Sequence, residues 1–178
     1  MSRRSIVYAL DADDHLVAIS PSWDAFARAN DAPDLTRVTV LGRSLWDFIA
    51  DDSTRTLYRA VLKDVRAGHR IELAIRCDSP DTQRHVALRL KASLTGVVTC
   101  HSFIAEERSQ ASIVPLWNRA VPRGTAVIHA CSWCKRVYFG GRWCEADALD
   151  WTALHTLPNV SHGMCPTCEA EVMARLSR

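Results

Sequence analysis

The chain has 178 residues, with 22 Lys and Arg against 20 Asp and Glu and a hydrophobic fraction of 48%. This composition excludes a disordered chain and offers no general attraction for nucleic acid or an anionic membrane. No apolar run reaches the roughly 18 residues of a membrane span, and the apolar stretch Ile6–Leu10 is too short for a secretory signal. A cytoplasmic protein without membrane contact is expected.

Residues 6–10 and 15–19 read as two strands joined by the turn chemistry of Asp11-Ala12-Asp13-Asp14. Ser20 and Pro21 suit the N-cap and first position of a helix with Trp23, Phe26 and Ala27 on its apolar face. Residues 42–49 read as a short helical turn. Asp51-Asp52-Ser53 is a cap for a helix whose Leu57, Tyr58, Val61, Leu62 and Val65 share one face, and Gly68 ends it. Three strands follow. Ile71, Leu73, Ile75 and Cys77 alternate with other residues, as do Val86, Leu88, Leu90 and Ala92; residues 97–104 are more uniformly apolar. Hairpins at both ends predict an α+β fold, a five-stranded antiparallel sheet with helices on one face.

The phrases Val7–Trp23, Leu41–Ile49, Val65–Gly68 and Phe103–Arg108, in this order, resemble a PAS domain over about residues 5–108. That resemblance implies a sensor or protein-interaction domain that dimerises and relays a conformational signal, with a small-molecule ligand as an option and the organic cofactor unknown. The Asn-Cys-Arg-Phe phrase of flavin photosensors is absent. A haem would need an axial ligand, for which His69 and His101 are the candidates; a filled core without cofactor is the simpler reading.

Charge and cysteine distribution divide the chain near residue 110, since five of the seven cysteines follow it. The expected organisation is a PAS-like domain over 1–108, a linker over 109–126 whose Leu116 and Trp117 pack on something, and a metal-binding module over 127–178. In that module Cys131-Ser132-Trp133-Cys134 and Cys165-Pro166-Thr167-Cys168 form two Cys-x-x-Cys pairs. Two such turns facing each other direct four thiolates at one point, the donor set of a tetrahedral zinc site. Cys131, Cys134, Cys165 and Cys168 are therefore the predicted ligands of a structural zinc ion, with iron as the second metal. Lys135 and Arg136 can offset the negative charge of the tetrathiolate, Gly163 suits the backbone of the knuckle entry, and His162 is a neighbour of the site more readily than a ligand. Cys144 reads as a buried small apolar residue. Residues 145–151 suggest a short helix and Val172, Met173 and Leu176 one face of a terminal helix, with Trp133, Trp143 and Trp151 packing around the metal.

Lys135-Arg136 after the first pair and Ser161-His162-Gly163 before the second resemble a four-Cys tail carried by PAS domains in bacterial signalling proteins. Function is then expected to be non-catalytic, a homodimeric signalling protein that acts on a protein partner. Nucleic acid is disfavoured as a partner, because the aromatic residues of the module read as core. The alternatives are a thiol redox switch that expels zinc when the paired cysteines oxidise, and a haem-binding sensor. Four thiolates leave no open coordination position, and no nucleophile elbow, phosphate loop or His-Glu-x-x-His phrase is present, which argues against an enzyme. Neither pair is followed by the His of a c-type haem site.

Overall fold

A computed structural model describes residues 5–29, 32–118 and 120–176. Its first sheet is antiparallel with five strands in the order β2-β1-β5-β4-β3, formed by β1 (Ser5–Leu10), β2 (Leu16–Ile19), β3 (Ile71–Arg76), β4 (Thr82–Ala92) and β5 (Val98–Ser109). The register places Ile6, Leu10, Leu73, Leu88, Leu90, Val98 and Cys100 on one face, and all are buried. Against this face lie α1 (Trp23–Ala29), α2 (Arg37–Val40) and the longer α3 (Asp52–Arg66). The α3 stripe reads as the sequence predicts: Leu57, Val61, Leu62 and Val65 are each at most 4% exposed.

The entry to α1 differs from expectation. The helix begins at Trp23, and the Ser20 hydroxyl accepts a hydrogen bond from the Val7 N–H at 3.1 Å instead of capping it. A strand amide thus outcompetes the helix terminus for that oxygen. At α3 the expected cap is present, with the Asp51 carboxylate accepting from the Thr54 N–H at 2.7 Å. The turn over residues 42–49 contains a 3-10 helix at Leu45–Phe48, capped by Ser44.

A second sheet has four strands in the order β8-β7-β6-β9: β6 (Arg123–Cys131), β7 (Val137–Phe139), β8 (Arg142–Cys144) and β9 (Leu157–Gly163), with β6 and β9 parallel. A terminal helix, α4 (Pro166–Leu176), follows. Residues 109–126, read from sequence as a linker, include the end of β5, a 3-10 turn at Pro115–Trp117 and the first residues of β6. Val114 and Leu116 are 0% and 2% exposed and join Ile128, Val137, Trp151 and Leu157 in a core of their own. Residues 145–151 make only a 3-10 turn, Ala146–Ala148. On α4 the inward face is Cys168 and Val172, while Met173 is exposed; the i, i+4 spacing from a cysteine, not the apolar residues alone, sets that face.

The two sheets are tied together at β3. The Arg76 N–H donates to the Trp133 carbonyl at 2.7 Å, and Arg175 Nη1 donates to the Glu72 carbonyl at 2.7 Å. Partners on an edge strand's free backbone groups also blunt its tendency to pair with another chain. The Arg76 guanidinium bonds the fully buried Asp78 carboxylate on one side and Glu145 on the other. Arg76→Leu leaves Asp78 as a buried unpaired charge and is expected to lower unfolding free energy by about 3–5 kcal/mol in urea titration. Asp51→Ala removes a helix cap and is expected to cost about 1 kcal/mol, seen as a lower Tm. Desolvation opposes ionisation of Asp51, but hydrogen bonds from Thr54 and Ser53 hold its carboxyl below the ordinary value. Its contribution is therefore present above the usual carboxylate range and is lost as pH falls through its lowered pKa, so wild type and variant converge in acid.

Candidate metal centre

The first cysteine pair forms because β6 ends at Cys131 and turns back immediately into β7. The Cys131 N–H donates to the Arg136 carbonyl at 2.8 Å, and the Lys135 N–H donates to the Cys131 carbonyl at 3.0 Å. Lys135 takes the left-handed backbone that this tight turn needs, with φ 60°. The sequence assigned backbone freedom to Gly163, but Gly163 is the last residue of β9, paired with Cys131, and is not among the glycines with positive φ. The second pair starts where β9 passes into α4, so that Cys165 precedes the helix and Cys168 lies in its first turn. The parallel β6-β9 pairing brings the two strand ends side by side, and this juxtaposes cysteines that are far apart in sequence.

All four sulfurs of Cys131, Cys134, Cys165 and Cys168 lie within 4.8 Å of one another. Cys134 Sγ and Cys165 Sγ are 3.8 Å apart. A tetrahedron with metal–sulfur bonds of about 2.3 Å has an edge of about 3.8 Å, so the spacing fits a four-sulfur metal site. None of the cysteines is in a disulfide. Cys131, Cys165 and Cys168 are at most 5% exposed, while Cys134 is half-buried.

Inside the cluster the thiols perturb one another through S–H hydrogen bonds. S–H donation from Cys134 and Cys168 pulls Cys131 well below the ordinary thiol value, helped by N–H groups that include that of Cys165 at 3.4 Å. Cys134 is pushed up to about 12, chiefly by its hydrogen bond to Cys131, and Cys168 is pushed up by Cys131 and Cys134. Binding a divalent metal requires the thiol protons to leave. Of the two basic residues after the first pair, Arg136 serves the centre. Against the cost of desolvation, the charges of Cys134 and Glu145 strengthen its protonation, and its Nε bonds Glu145 at 3.2 Å. Lys135 instead sends its ammonium over the Trp117 ring, 5.9 Å from the centroid.

The remaining candidates separate. His162 is exposed and is not part of the four-sulfur cluster. Cys144 is half-buried beside the second core, its Sγ 3.6 Å from the Val137 carbonyl. Of the three tryptophans, Trp133 and Trp143 pack with the core that contains the cluster, whereas Trp151 belongs to the second core and donates to the Ala146 carbonyl at 2.7 Å. His69 is exposed and bonded to Asp64 at 2.7 Å; His101 is exposed on the outer face of the first sheet, edge-on to Phe103. Neither faces the buried side where Cys100 and α3 lie.

One contact is illegible in the sequence. Trp133, between the first two cysteines, is 5% exposed and sits 5.5 Å from the Tyr58 ring on α3. Buried Cys131, Trp133, Cys165, Cys168 and Val172 belong to the same apolar core as the first sheet and α3. An aromatic residue between two cysteines is the local signal of this contact. If the four cysteines hold one ion, purified protein is expected to contain one metal per chain, and Cys131→Ser to lose it together with protection of β6 and β9. Elemental analysis and hydrogen exchange measure the two results. Lowering pH is expected to release the metal as protons compete for sulfur.

No family model matches the chain, and none of the curated proteins compared with it matches. Among solved structures, the chain is similar to a domain of the sensory box sensor histidine kinase/response regulator from Geobacter sulfurreducens, at 16% identity and a TM-score of 0.40, covering 55% of this chain and 81% of that one. Among the described residues, no helix is long and apolar enough to cross a membrane.

Proposed function

We propose that the chain is a non-catalytic bacterial signalling protein, a PAS-like sensor domain fused to a structural zinc module. The observation that carries this reading is the insertion of the cysteine knuckle into the core of the first sheet. Trp133 packs on Tyr58 of α3 and its carbonyl holds the β3 edge through the Arg76 N–H. A change in the sheet or in α3 therefore reaches the metal module, and a change at the metal reaches the sheet. The residue pattern over 5–108 supports the PAS-like reading, as does the antiparallel sheet covered on one face by helices.

Zinc suits the site because it is satisfied by four thiolates in a tetrahedron, and such closed sites stabilise folds instead of activating water. A metal supplies stability that a module of about 50 residues gains poorly from burial alone. In this reading the protein is cytoplasmic and homodimeric and passes its state to a protein partner.

Partial exposure of Cys134 favours one second reading, a thiol switch in which oxidation begins at that sulfur and releases the ion. Hydrogen exchange on zinc-loaded protein tests the first reading. Chelation is expected to raise exchange at β3, above all at the Arg76 amide, and to leave β1 protected. Unchanged β3 exchange after complete metal removal would show that the module and the sheet are not coupled. Zinc release by mild peroxide, with recovery on reduction, would assign the centre to the switch.

A further inference from the structure

A cavity of about 280 Å³ opens where the chain after β5, the metal module and the segment after β3 meet. Trp117 of the 3-10 turn, Arg123 at the start of β6, Lys135 of the knuckle turn and Val160 and His162 of β9 line it, with Asp78 beyond β3. None of its lining residues belongs to α1, α2 or α3. The volume is far larger than one water requires and suits a small ion with a short body.

Its walls carry two cations without an acid. Lys135 and Arg123 pair with no carboxylate among the described residues. Arg123 donates through Nη1 to the Pro158 carbonyl at 3.3 Å and through Nη2 to the Leu116 and Asn118 carbonyls, each at 2.9 Å. These bonds fix the guanidinium without neutralising it, and its Nε–H stays without an acceptor and open to solvent. Lys135 is half-buried, and its ammonium meets only the Trp117 ring, 5.9 Å from the centroid. The sulfur cluster draws on Arg136 instead. Asp78, the one acid on the walls, has a fully buried side chain already bonded to Arg76. Two like charges facing one cavity repel, and an anion between them relieves that repulsion. The outer face of the first sheet also gathers Arg70, Arg89 and Lys91, but these are exposed and Arg89 is bonded to Glu72 at 2.7 Å. Solvent and salt screen charges placed there.

We propose that this cavity binds a small doubly charged oxyanion, a phosphate or a dicarboxylate, between the Lys135 ammonium and the Arg123 guanidinium, with any apolar body against Trp117 and Val160. Charge-assisted bonds from Arg and Lys to carboxylate or phosphate oxygens are short and strong, more so where water is partly excluded. Lys135 follows Cys134, and Arg123 is bonded to the 3-10 turn, so the bound ion fastens that turn to the knuckle. The site goes beyond the sensor and zinc readings and rests on neither, since Lys135 and Arg123 do not belong to the four-sulfur cluster.

Isotope-labelled full chain, as purified, tests this by NMR at pH 8 and constant ionic strength. Hydrogen phosphate and malonate are the doubly charged probes and acetate the singly charged one. At least one dianion is expected to shift the Lys135 amide and the Trp117 indole with a Kd of about 1 mM. Acetate is expected to bind about tenfold more weakly, having half the charge. Tighter phosphate binding points to phosphorylated compounds as the natural ligand, tighter malonate binding to dicarboxylates, and either supports the site. Lys135→Gln keeps the chain length and removes the charge, so it is expected to weaken the dianion about tenfold, while Lys135→Arg retains it. Absence of shifts at Lys135 and Trp117 with both dianions, or equal binding of acetate, would overturn the proposal. So would undiminished binding to Lys135→Gln, or equal loss in Lys135→Arg. Shifts of the same size at Arg70 and Lys91 would show non-specific ion screening and overturn it as well.

Discussion

Four cysteine sulfurs within 4.8 Å of one another are the constraint on which the second half of this molecule depends. Without a cation, Cys131, Cys134 and Cys168 perturb one another through S–H hydrogen bonds. Joined by a divalent cation, they fasten the end of β6, the turn into β7, the end of β9 and the first turn of α4 at one point. The parallel β6-β9 pairing and the start of α4 after β9 bring the two cysteine pairs to that point. Without it, a three-residue β7 and a three-residue β8 have little to hold them in register.

The same point is the bridge between the two sheets. An independent zinc module would turn a polar surface to its neighbour, but this knuckle turns Trp133 and three of its cysteines into the core beneath α3. Backbone bonding adds direction, through Arg76 and Trp133, and the Arg76-Asp78-Glu145 ion cluster adds a penalty for separation. Apolar burial gives the contact strength, and the polar contacts set its register.

Several features are legible from local sequence. The α3 stripe, its Asp51 cap, the antiparallel alternation of the first sheet and the paired cysteines are local patterns, and each is governed by residues close along the chain. Local patterns mislead where distant groups compete. Ser20 looks like a helix cap until the Val7 amide is known to stand beside it. Met173 looks like a core residue until Cys168 is known to set the inward face of α4. Gly163 looks like the flexible residue of the knuckle, yet Lys135 takes the left-handed turn because the short return from β6 into β7 requires it.

The sequence alone marked the four cysteines that cluster, since a Cys-x-x-Cys spacing brings two sulfurs together through a single turn. It also determined that the first part is an α+β sheet with one covered face, because periods of two and of 3.6 are imposed by backbone geometry. Only the tertiary structure decided which way the cysteine knuckle faces and that its tryptophan and carbonyl engage α3 and β3. Those outcomes depend on packing between segments some 60 or more residues apart, Tyr58 against Trp133 and Arg76 against Glu145. No local pattern encodes them, because the free energy of such contacts exists only once both partners are folded.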